Sequence, residues 1–166
     1  MNWVVRNVQP EDAEAVAGIL NSIIETGIYT ALDMPFTTEA EREFISNFPQ
    51  RGIFHVAVEP EKERIVGFQN VEPFATYTHA FDHVGIIGTY VDNTVRRQGV
   101  ASSLFQATFE AMTEKGYEKV FAYVRGDNLA ALATYLKQGF RIIGSAQRHA
   151  KINGRYVDEI LIEKLL

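Results

Sequence analysis

The stretch HVGIIGTYVDNTVRRQGVASSLFQ, residues 83–106, passes from an apolar run into an amphipathic run through two arginines and a glycine. The first part predicts a strand over 83–91, and the second predicts a helix from about Gly99 to Lys115 that Gly116 ends. The first amide hydrogens of a helix have no intrahelical partner, and they carry partial positive charge. The loop between this strand and this helix is therefore suited to bind a phosphate.

Composition limits the classes of function that the chain can have. Its 166 residues, of which 46% are hydrophobic, suit a single domain over 1–166 with a full core. The net charge is −5 and Lys and Arg are scattered, so no nucleic-acid partner is expected. Cysteine is absent, which excludes disulfides and thiolate metal sites, and no metal is expected. We find no signal peptide and no apolar stretch of membrane-spanning length, which favours a cytoplasmic protein without a membrane partner.

Hydrophobic periodicity predicts alternating strands and helices without internal repeats or linkers. Strands are predicted at 3–8, 53–59, 64–74, 83–91, 119–125, 140–146 and 156–165. Helices are predicted from Pro10 through Ile24, then at 37–48, 99–115 and 128–138. The short PEKE turn between the second and third strands predicts an antiparallel hairpin. This order predicts an α/β fold in which about four helices flank a mixed, mostly antiparallel sheet.

The loop at 92–99 has the residue types that a pyrophosphate site needs. Gly99 lets a ligand approach the backbone, Ala101 and Ser102 are small, and the arginines add full positive charge. The alternative is two solvated arginines beside a glycine that eases the start of a helix. Neither the phosphate loop of nucleoside triphosphatases nor the dinucleotide-binding glycine pattern is present.

A second segment, GDNLAALATYLKQGF at 126–140, predicts a helix with one apolar face and one polar stripe. Asn128 and Tyr135 share the polar stripe about 10 Å apart, so they can line a cleft. The alternatives are a helix N-cap for Asn128 and an ordinary half-buried tyrosine for Tyr135.

Together the two segments resemble the GCN5-related N-acetyltransferase (GNAT) family. RRQGVA at 96–101 is similar to the family signature Arg/Gln-x-x-Gly-x-Gly/Ala. Five residues of the second segment match Asn-x-x-Ala-x-x-x-Tyr-x-x-x-Gly-Phe in register: Asn128, Ala131, Tyr135, Gly139 and Phe140. The order of elements is also similar, so the resemblance covers essentially the whole chain. It implies a GNAT-like fold with one N-acetyltransferase domain and acetyl-CoA as co-substrate.

The resemblance also implies where acetyl-CoA is bound. The loop residues implied to hold its pyrophosphate are Arg96, Arg97, Gln98, Gly99, Val100, Ala101 and Ser102. Strand 83–91 is implied to bulge and to splay from strand 119–125, so that the acyl-pantetheine arm fills the gap between them. Tyr90 and Val91 would then give backbone contacts, Asn128 would hydrogen-bond the pantetheine, and Tyr135 would protonate the CoA thiolate. Gly85 and Gly88 suit such a bulge or a close backbone approach, with sheet curvature as the alternative.

Acetyl transfer to an amine requires a deprotonated amine, a backbone N–H for the oxyanion and a proton for the leaving thiolate. The chain lacks cysteine and shows no serine in a His/Asp setting, which favours direct transfer over an acyl-enzyme.

Within the family, ILNSIIETGIYT at 19–30 and the proline-containing loop after it are similar to the phosphinothricin and methionine sulfoximine acetyltransferases. That subgroup carries a glutamate as general base on the central strand, where this chain has Ile86, and its C-terminal histidine falls on Asn153. Glu72 and His83 are candidates for a replacement base, with surface or structural roles as the alternative and a water relay as a further option. Candidates for the acceptor pocket are Glu25, Tyr29, Phe36 and Tyr77.

The sequence therefore predicts an acetyl-CoA-dependent N-acetyltransferase that acts on a primary amine of a small molecule or an amino acid. Two alternatives stay open: an acetyltransferase of protein N-termini or lysines, and a non-catalytic acyl-CoA-binding sensor. An intact Tyr135 favours an enzyme, because a sensor needs no acid at the sulfur. The oligomeric state is open, with a homodimer as one option.

Overall fold

The computed structural model describes residues 2–166. Within them the strands are β1 (Val4–Asn7), β2 (Ile53–Glu59), β3 (Arg64–Pro73), β4 (Val84–Val91), β5 (Lys119–Arg125), β6 (Arg141–Ile152) and β7 (Arg155–Leu165). The α-helices are α1 (Ala13–Thr26), α2 (Thr38–Ser46), α3 (Val100–Glu114) and α4 (Leu129–Lys137).

All seven strands form one sheet in the order β1-β2-β3-β4-β5-β7-β6. Every neighbouring pair is antiparallel except β4 and β5, which are parallel. The predicted α/β fold with a mostly antiparallel sheet and four helices is confirmed. The predicted PEKE hairpin joins β2 to β3.

Two element boundaries differ from the prediction by three residues or more. Residues 10–12 form a 3-10 turn in which the amide of Gln9 donates a 2.7 Å hydrogen bond to Oδ2 of Asp12, so α1 begins only at Ala13. Strand β6 continues to Ile152 because its pairing with β7 resumes after an irregularity in which Arg148 has a φ of 53°. That irregularity breaks the alternation on which the shorter prediction relied.

The sheet separates two layers of helices. Helices α1 and α2 pack on one face, where their core includes Phe54, Val56 and Phe68. Helices α3 and α4 pack on the other face, over Ile87, Val120 and other core side chains. Successive residues of β3, β4 and β5 therefore alternate between the α1/α2 face and the α3/α4 face.

The parallel pair is short and then opens. Strands β4 and β5 pair only from Val84–Lys119 to Ile86–Phe121, although each continues beyond this point beside its other neighbour. The predicted splay is confirmed, and the opening beyond Ile86 is called the gap below.

The predicted bulge in β4 is wrong, because β4 keeps an unbroken register with β3 from Gly85 to Val91. Tight packing accounts for Gly85, since a Cβ there would lie 2.6 Å from Cγ1 of Val71 and 2.9 Å from Cε of Met112.

Candidate active site

The phosphate loop, residues 96–102, leads into the N-terminus of α3 at the end of β4. Gly99 is the N-cap with φ 85°, and no side chain caps the helix. A Cβ at Gly99 would meet no atom within 4 Å, so the space in front of the helix is open. The first-turn amides of Val100, Ala101 and Ser102 have no intrahelical acceptor, and they form a site that favours an anion.

Trp3 holds this loop in place. Its indole Nε1 donates a 2.9 Å hydrogen bond to the carbonyl oxygen of Gln98. Its ring packs in a buried cluster that includes Val95 and Val100, on either side of the loop. Sequence analysis missed Trp3, whose only signal is that it is the single tryptophan of the chain.

The two arginines of the loop differ in surroundings. The guanidinium of Arg96 lies 4.1 Å from the ring centroid of Tyr29, which it stacks on. Arg97 is exposed and has a φ of 62°, in the left-handed region. Tyr29, predicted for the acceptor pocket, therefore lies beside an arginine of the phosphate loop.

The segment after α1 is tied to the elements that follow the gap. Arg125 is buried at the end of β5 and donates to the carbonyl oxygens of Gly27 and Thr30, at 2.8 and 3.0 Å. Asn128 donates to the carbonyl oxygen of Tyr29 at 3.2 Å. These bonds fix the α1–α2 connection against the end of β5 and the start of α4.

Asn128 is also the N-cap of α4, since its Oδ1 accepts a 3.1 Å hydrogen bond from the amide of Ala131. The N-cap alternative is thus what the structure shows. One amide hydrogen of Asn128 remains for the pantetheine contact that the family resemblance implies, and that contact stays a prediction.

Tyr135 of α4 reaches β4 where the gap is open. Its hydroxyl donates a 3.0 Å hydrogen bond to Oγ1 of Thr89, which lies three residues beyond the last paired residue of β4. The same Oγ1 accepts a 2.8 Å bond from Nε2 of Gln69 on β3. Tyr135 is therefore positioned across the gap by a chain of three polar side chains.

Burial sets the protonation of Tyr135. The ring is 7% exposed, and this burial raises the pKa of its phenol well above the ordinary value, although the bond with Thr89 lowers it in part. The hydroxyl consequently remains protonated at neutral pH. It can offer a hydrogen to a negative charge that develops beside it.

Backbone groups of β4 point alternately to β3 and into the gap. The carbonyl of Val84 and the amide of Asp92 bond to β3, so even-numbered residues of β4 face that strand. Thr89 and Val91 therefore direct their backbone groups into the gap, beyond the reach of β5. Val91 has the backbone direction that its predicted contact requires, and that contact stays a prediction. The backbone of Tyr90 faces β3, which argues against the contact predicted for it.

The two candidates for a general base lie in different places. Glu72 is paired with Ile86 and half-buried, so its carboxylate is on the same face and one strand away from the position of the subgroup's glutamate. His83 is exposed and precedes β4, about 20 Å along the strand from Thr89. The structure thus places Glu72 near the gap and His83 at the opposite end of the strand.

The four residues predicted for the acceptor pocket belong to three segments of the chain. Glu25 is exposed on α1, and Tyr77 is 82% exposed in the β3–β4 connection. The backbone of Phe36 is held by two 2.8 Å hydrogen bonds with the side chain of Asn21, and Tyr29 lies beside Arg96. Their role in an acceptor pocket stays a prediction.

Within residues 2–166, no group of three His, Asp or Glu side chains is arranged to hold a metal ion. No helix in that range is both long enough and apolar enough to cross a membrane.

Comparison with known proteins agrees with this geometry. Residues 22–140 match the acetyltransferase (GNAT) family. YwnH of Bacillus subtilis (strain 168), provisionally named a phosphinothricin acetyltransferase, is 28% identical over 93% of each chain. Phosphinothricin N-acetyltransferase of Streptomyces coelicolor is 24% identical over 98% of this chain and 95% of its own.

Solved structures share the fold across the whole chain. A crystal structure provisionally assigned as a phosphinothricin N-acetyltransferase is 26% identical, covers 99% of both chains and superposes with a TM-score of 0.90. A phosphinothricin acetyltransferase from Sinorhizobium meliloti, solved with acetyl-CoA, is 18% identical and reaches a TM-score of 0.91 over 100% of this chain and 89% of its own. The family match over most of the chain agrees with the sheet that contains one parallel pair and with helix α3, which no side chain caps. This chain therefore belongs to the GNAT family of N-acetyltransferases.

Proposed function

We propose that this protein transfers the acetyl group of acetyl-CoA directly to a primary amine of a small molecule or an amino acid, with residues 1–166 acting as one domain. The observation that carries the proposal is the position of the Tyr135 hydroxyl, bonded to Thr89 at the open part of the gap. The phosphate loop lies at the end of the same strand, so a donor with a pyrophosphate and a thioester is bound along it.

Acetyl-CoA fits the polar groups that are free. Its pyrophosphate lies on the first-turn amides of α3, with Arg96 and Arg97 adding charge. Its pantetheine arm lies in the gap and pairs with the backbone of Thr89 and Val91, as an added strand does. The relative from Sinorhizobium meliloti that was solved with acetyl-CoA supports this choice of donor.

The chemistry follows from that placement. A neutral amine attacks the thioester carbonyl from the α1/α2 face, a backbone N–H in the gap stabilises the oxyanion, and the C–S bond breaks. The protonated phenol of Tyr135 donates to the sulfur as negative charge develops there. We keep Glu72 as a candidate base on the acceptor side and do not propose His83, because it lies too far along β4.

The proposal is tested by incubating the purified protein with acetyl-CoA and a panel of primary amines while released CoA is followed with a thiol reagent. Release that depends on an amine, with the acetylated amine identified by mass spectrometry, supports it. Tight acetyl-CoA binding without turnover for any amine, including peptides with free N-termini, would make the chain an acyl-CoA-binding sensor instead.

A further inference from the structure

Polar side chains without intramolecular partners converge over Gly88 of β4, on the face of the sheet covered by α1 and α2. A Cβ at Gly88 would lie 3.3 Å from Oδ1 of Asn70 and 3.4 Å from the hydroxyl of Tyr90. Glu72 lies on the same face, two residues along β3 from Asn70. The missing side chain of Gly88 thus leaves space that polar atoms of both neighbouring strands border.

Helix α2 covers the same face of the sheet and carries Glu41. Its side chain shares a helix face with Ile45, which is buried in the core between α2 and the sheet, and Glu41 itself is 4% exposed. Within residues 2–166, no hydrogen bond or ion pair engages its carboxylate. Glu41 is therefore a mostly buried residue whose carboxylate has no partner among the described residues and whose oxygens keep a small opening to their surroundings.

The negative charges of both carboxylates act on the hydroxyl group of Tyr90. Burial raises the pKa of the Tyr90 phenol, and the charges of Glu41 and then Glu72 raise it further. Its ring stacks on Phe68 with centroids 4.8 Å apart and lies along the strand over Gly88. The cluster of Glu41, Asn70, Glu72 and Tyr90 is called the acidic cluster below.

Within residues 2–166, no Lys or Arg forms an ion pair with the carboxylates of this cluster, and Arg96 stacks on Tyr29, which packs on the same core as Tyr90. Helix α1 and strand β4 contain neither Lys nor Arg. Arg42 of α2 forms an exposed ion pair with Glu39, and Arg64 at the start of β3 pairs with Glu59 and Asp92. Since an unpaired buried carboxylate is costly, a cationic ligand is the partner that would relieve it.

We propose that the acidic cluster binds the acceptor as a cation, and that Glu41 removes its proton. This inference rests on the proposed function and names its substrate class: primary amines that carry no carboxylate beside the amine. A free amino acid would bring its own carboxylate against Glu41 and Glu72, with no cation to offset the repulsion.

The proton and bond changes balance. Glu41 takes one proton from the ammonium group, and the neutral nitrogen forms a bond with the thioester carbonyl carbon. The C–S bond breaks, the sulfur receives a proton from Tyr135, and the nitrogen loses its second proton as the amide forms. The phenol and the carboxylate return to their starting states through water, so the net products are an acetamide, CoA and one proton.

Apolar side chains continue this face beyond the acidic cluster and suggest suitable probes. Ile86 is paired with Glu72 on one side and with Phe121 of β5 on the other. An amine with an aromatic substituent can place its ring there. The matched probes are therefore 2-phenylethylamine, L-phenylalanine and L-phenylalaninamide, which share a ring and differ in the carboxylate.

The experiment is isothermal titration of each probe at pH 8 into the protein saturated with CoA, which permits no reaction. We expect 2-phenylethylamine and L-phenylalaninamide to bind at least about tenfold more tightly than L-phenylalanine, because like charges placed together are costly. Glu41→Gln should weaken binding of 2-phenylethylamine at least about tenfold and lower kcat/KM by about 10². Glu39→Gln, on the same helix but exposed, should leave both unchanged.

The inference is overturned if L-phenylalanine binds as tightly as 2-phenylethylamine, if none of the probes binds, or if Glu41→Gln binds the amine like the wild type. Glu72→Gln makes the same charge change from β3 and is the second variant should Glu41→Gln fail to fold. Failure of acetyl-CoA to bind, or turnover with no amine at all, would instead overturn the proposed function. A preference for amino acids with active turnover would overturn the substrate class alone.

Discussion

The two faces of β4 beside the gap are built in opposite ways. On the α3/α4 face, Tyr135, Thr89 and Gln69 are joined by hydrogen bonds, and Trp3 holds the loop that follows the strand. On the α1/α2 face, Asn70 and Tyr90 border the space over Gly88, and the side chains of the acidic cluster form no such bonds within residues 2–166. The polar groups of the first face are held by hydrogen bonds within the protein, and those of the second face are left for a ligand to satisfy.

This difference matches the demands of the two substrates. An acyl donor that is the same in every turnover is bound best by groups already fixed in position, which lowers the entropic cost of binding. Selection among amines needs groups that only the correct acceptor satisfies, because an unpaired buried polar group penalises the wrong one. The α3/α4 face is called the donor face below. One buried oxygen on it, Oε1 of Gln69, lacks a partner within residues 2–166 and is an exception to the contrast.

The largest expected effect tests the donor face at its acid. Tyr135→Phe keeps the buried ring and removes the proton donor, so it should fold and bind acetyl-CoA nearly as the wild type does. We expect kcat to fall about 10² to 10⁴-fold, because the hydrogen bond strengthens only as charge develops on sulfur. Steady-state kinetics check this with Tyr156→Phe, an exposed tyrosine, as the control. Equal kcat in the two variants would return Tyr135 to a packing role.

The next effect tests the phosphate loop with two glycines of one helix. Gly99 and Gly116 flank α3, have φ values of 85° and 86°, and both face open space. Leucine at either position carries the same backbone strain, but only Gly99→Leu should occupy the place of the pyrophosphate. We expect at least about a 100-fold loss of acetyl-CoA affinity for Gly99→Leu. At 100 times the wild-type Kd this loss removes about 2.3 of the roughly 2.7 kcal/mol by which the ligand stabilises the wild type. Calorimetry measures the affinity and melting curves measure the stabilisation. If Gly116→Leu loses as much acetyl-CoA affinity as Gly99→Leu, the assignment of residues 96–102 to the pyrophosphate is rejected.

A smaller effect concerns the α1/α2 face, which is called the acceptor face below. It is measured as a change in the free energy of unfolding. Burial raises the pKa of Glu41 above its unfolded value, so the folded state holds the proton longer as pH rises. As pH rises from the pKa of Glu41 in the unfolded state to its pKa in the folded state, the wild type loses stability. The loss is complete above both pKa values. Glu41→Gln removes this cost and should melt about 2–4 °C higher at neutral pH, for a gain of about 1 kcal/mol.

The difference in Tm between Glu41→Gln and wild type should shrink toward pH 4, where both states of the wild type are protonated. Glu72 and Tyr90 are the other titratable groups that act on the Glu41 carboxylate. Glu39→Gln is the control, because it removes one negative charge from the same helix at an exposed position away from Glu72 and Tyr90. A constant Tm difference across this pH range would show that ionised Glu41 carries no such cost.

The smallest effect concerns how firmly the donor face is fixed. Trp3→Phe keeps an aromatic ring in the buried cluster and removes the hydrogen bond to Gln98. A hydrogen bond of this kind contributes about 1 kcal/mol, so acetyl-CoA affinity should fall about fivefold while kcat changes little. Titration calorimetry measures this, and an unchanged Kd would mean that packing alone holds the loop.

Much of the donor face was predictable because its determinants are local. The turn from β4 into α3 needs a small residue with positive φ and free amides, and these requirements are written within a few consecutive positions around Gly99. Tyr135 and Asn128 likewise follow from the spacing of a single helix. The splay and the order of the strands followed from the family that these segments resemble.

The acceptor face was not predictable in the same way. Glu41 is an ordinary glutamate in a polar helix, and only the packing of α2 on the sheet buries it away from any cation. Gly88 was interpreted as a bulge residue, whereas its missing side chain leaves space under Tyr90. His83 carries suitable chemistry, but its position about 20 Å along the strand from Thr89 keeps it away from the gap.

The sequence by itself thus determined the fold class, the turn with positive φ before α3 and the tyrosine at the gap, because periodicity and short motifs encode contacts within one element or between adjacent ones. The tertiary structure decided which backbone groups of β4 face the gap, since the unbroken register with β3 turns Tyr90 away and leaves Thr89 beside Val91. It also decided which carboxylate is buried and unpaired. Burial and pairing depend on several elements distant in sequence, and no local pattern records them.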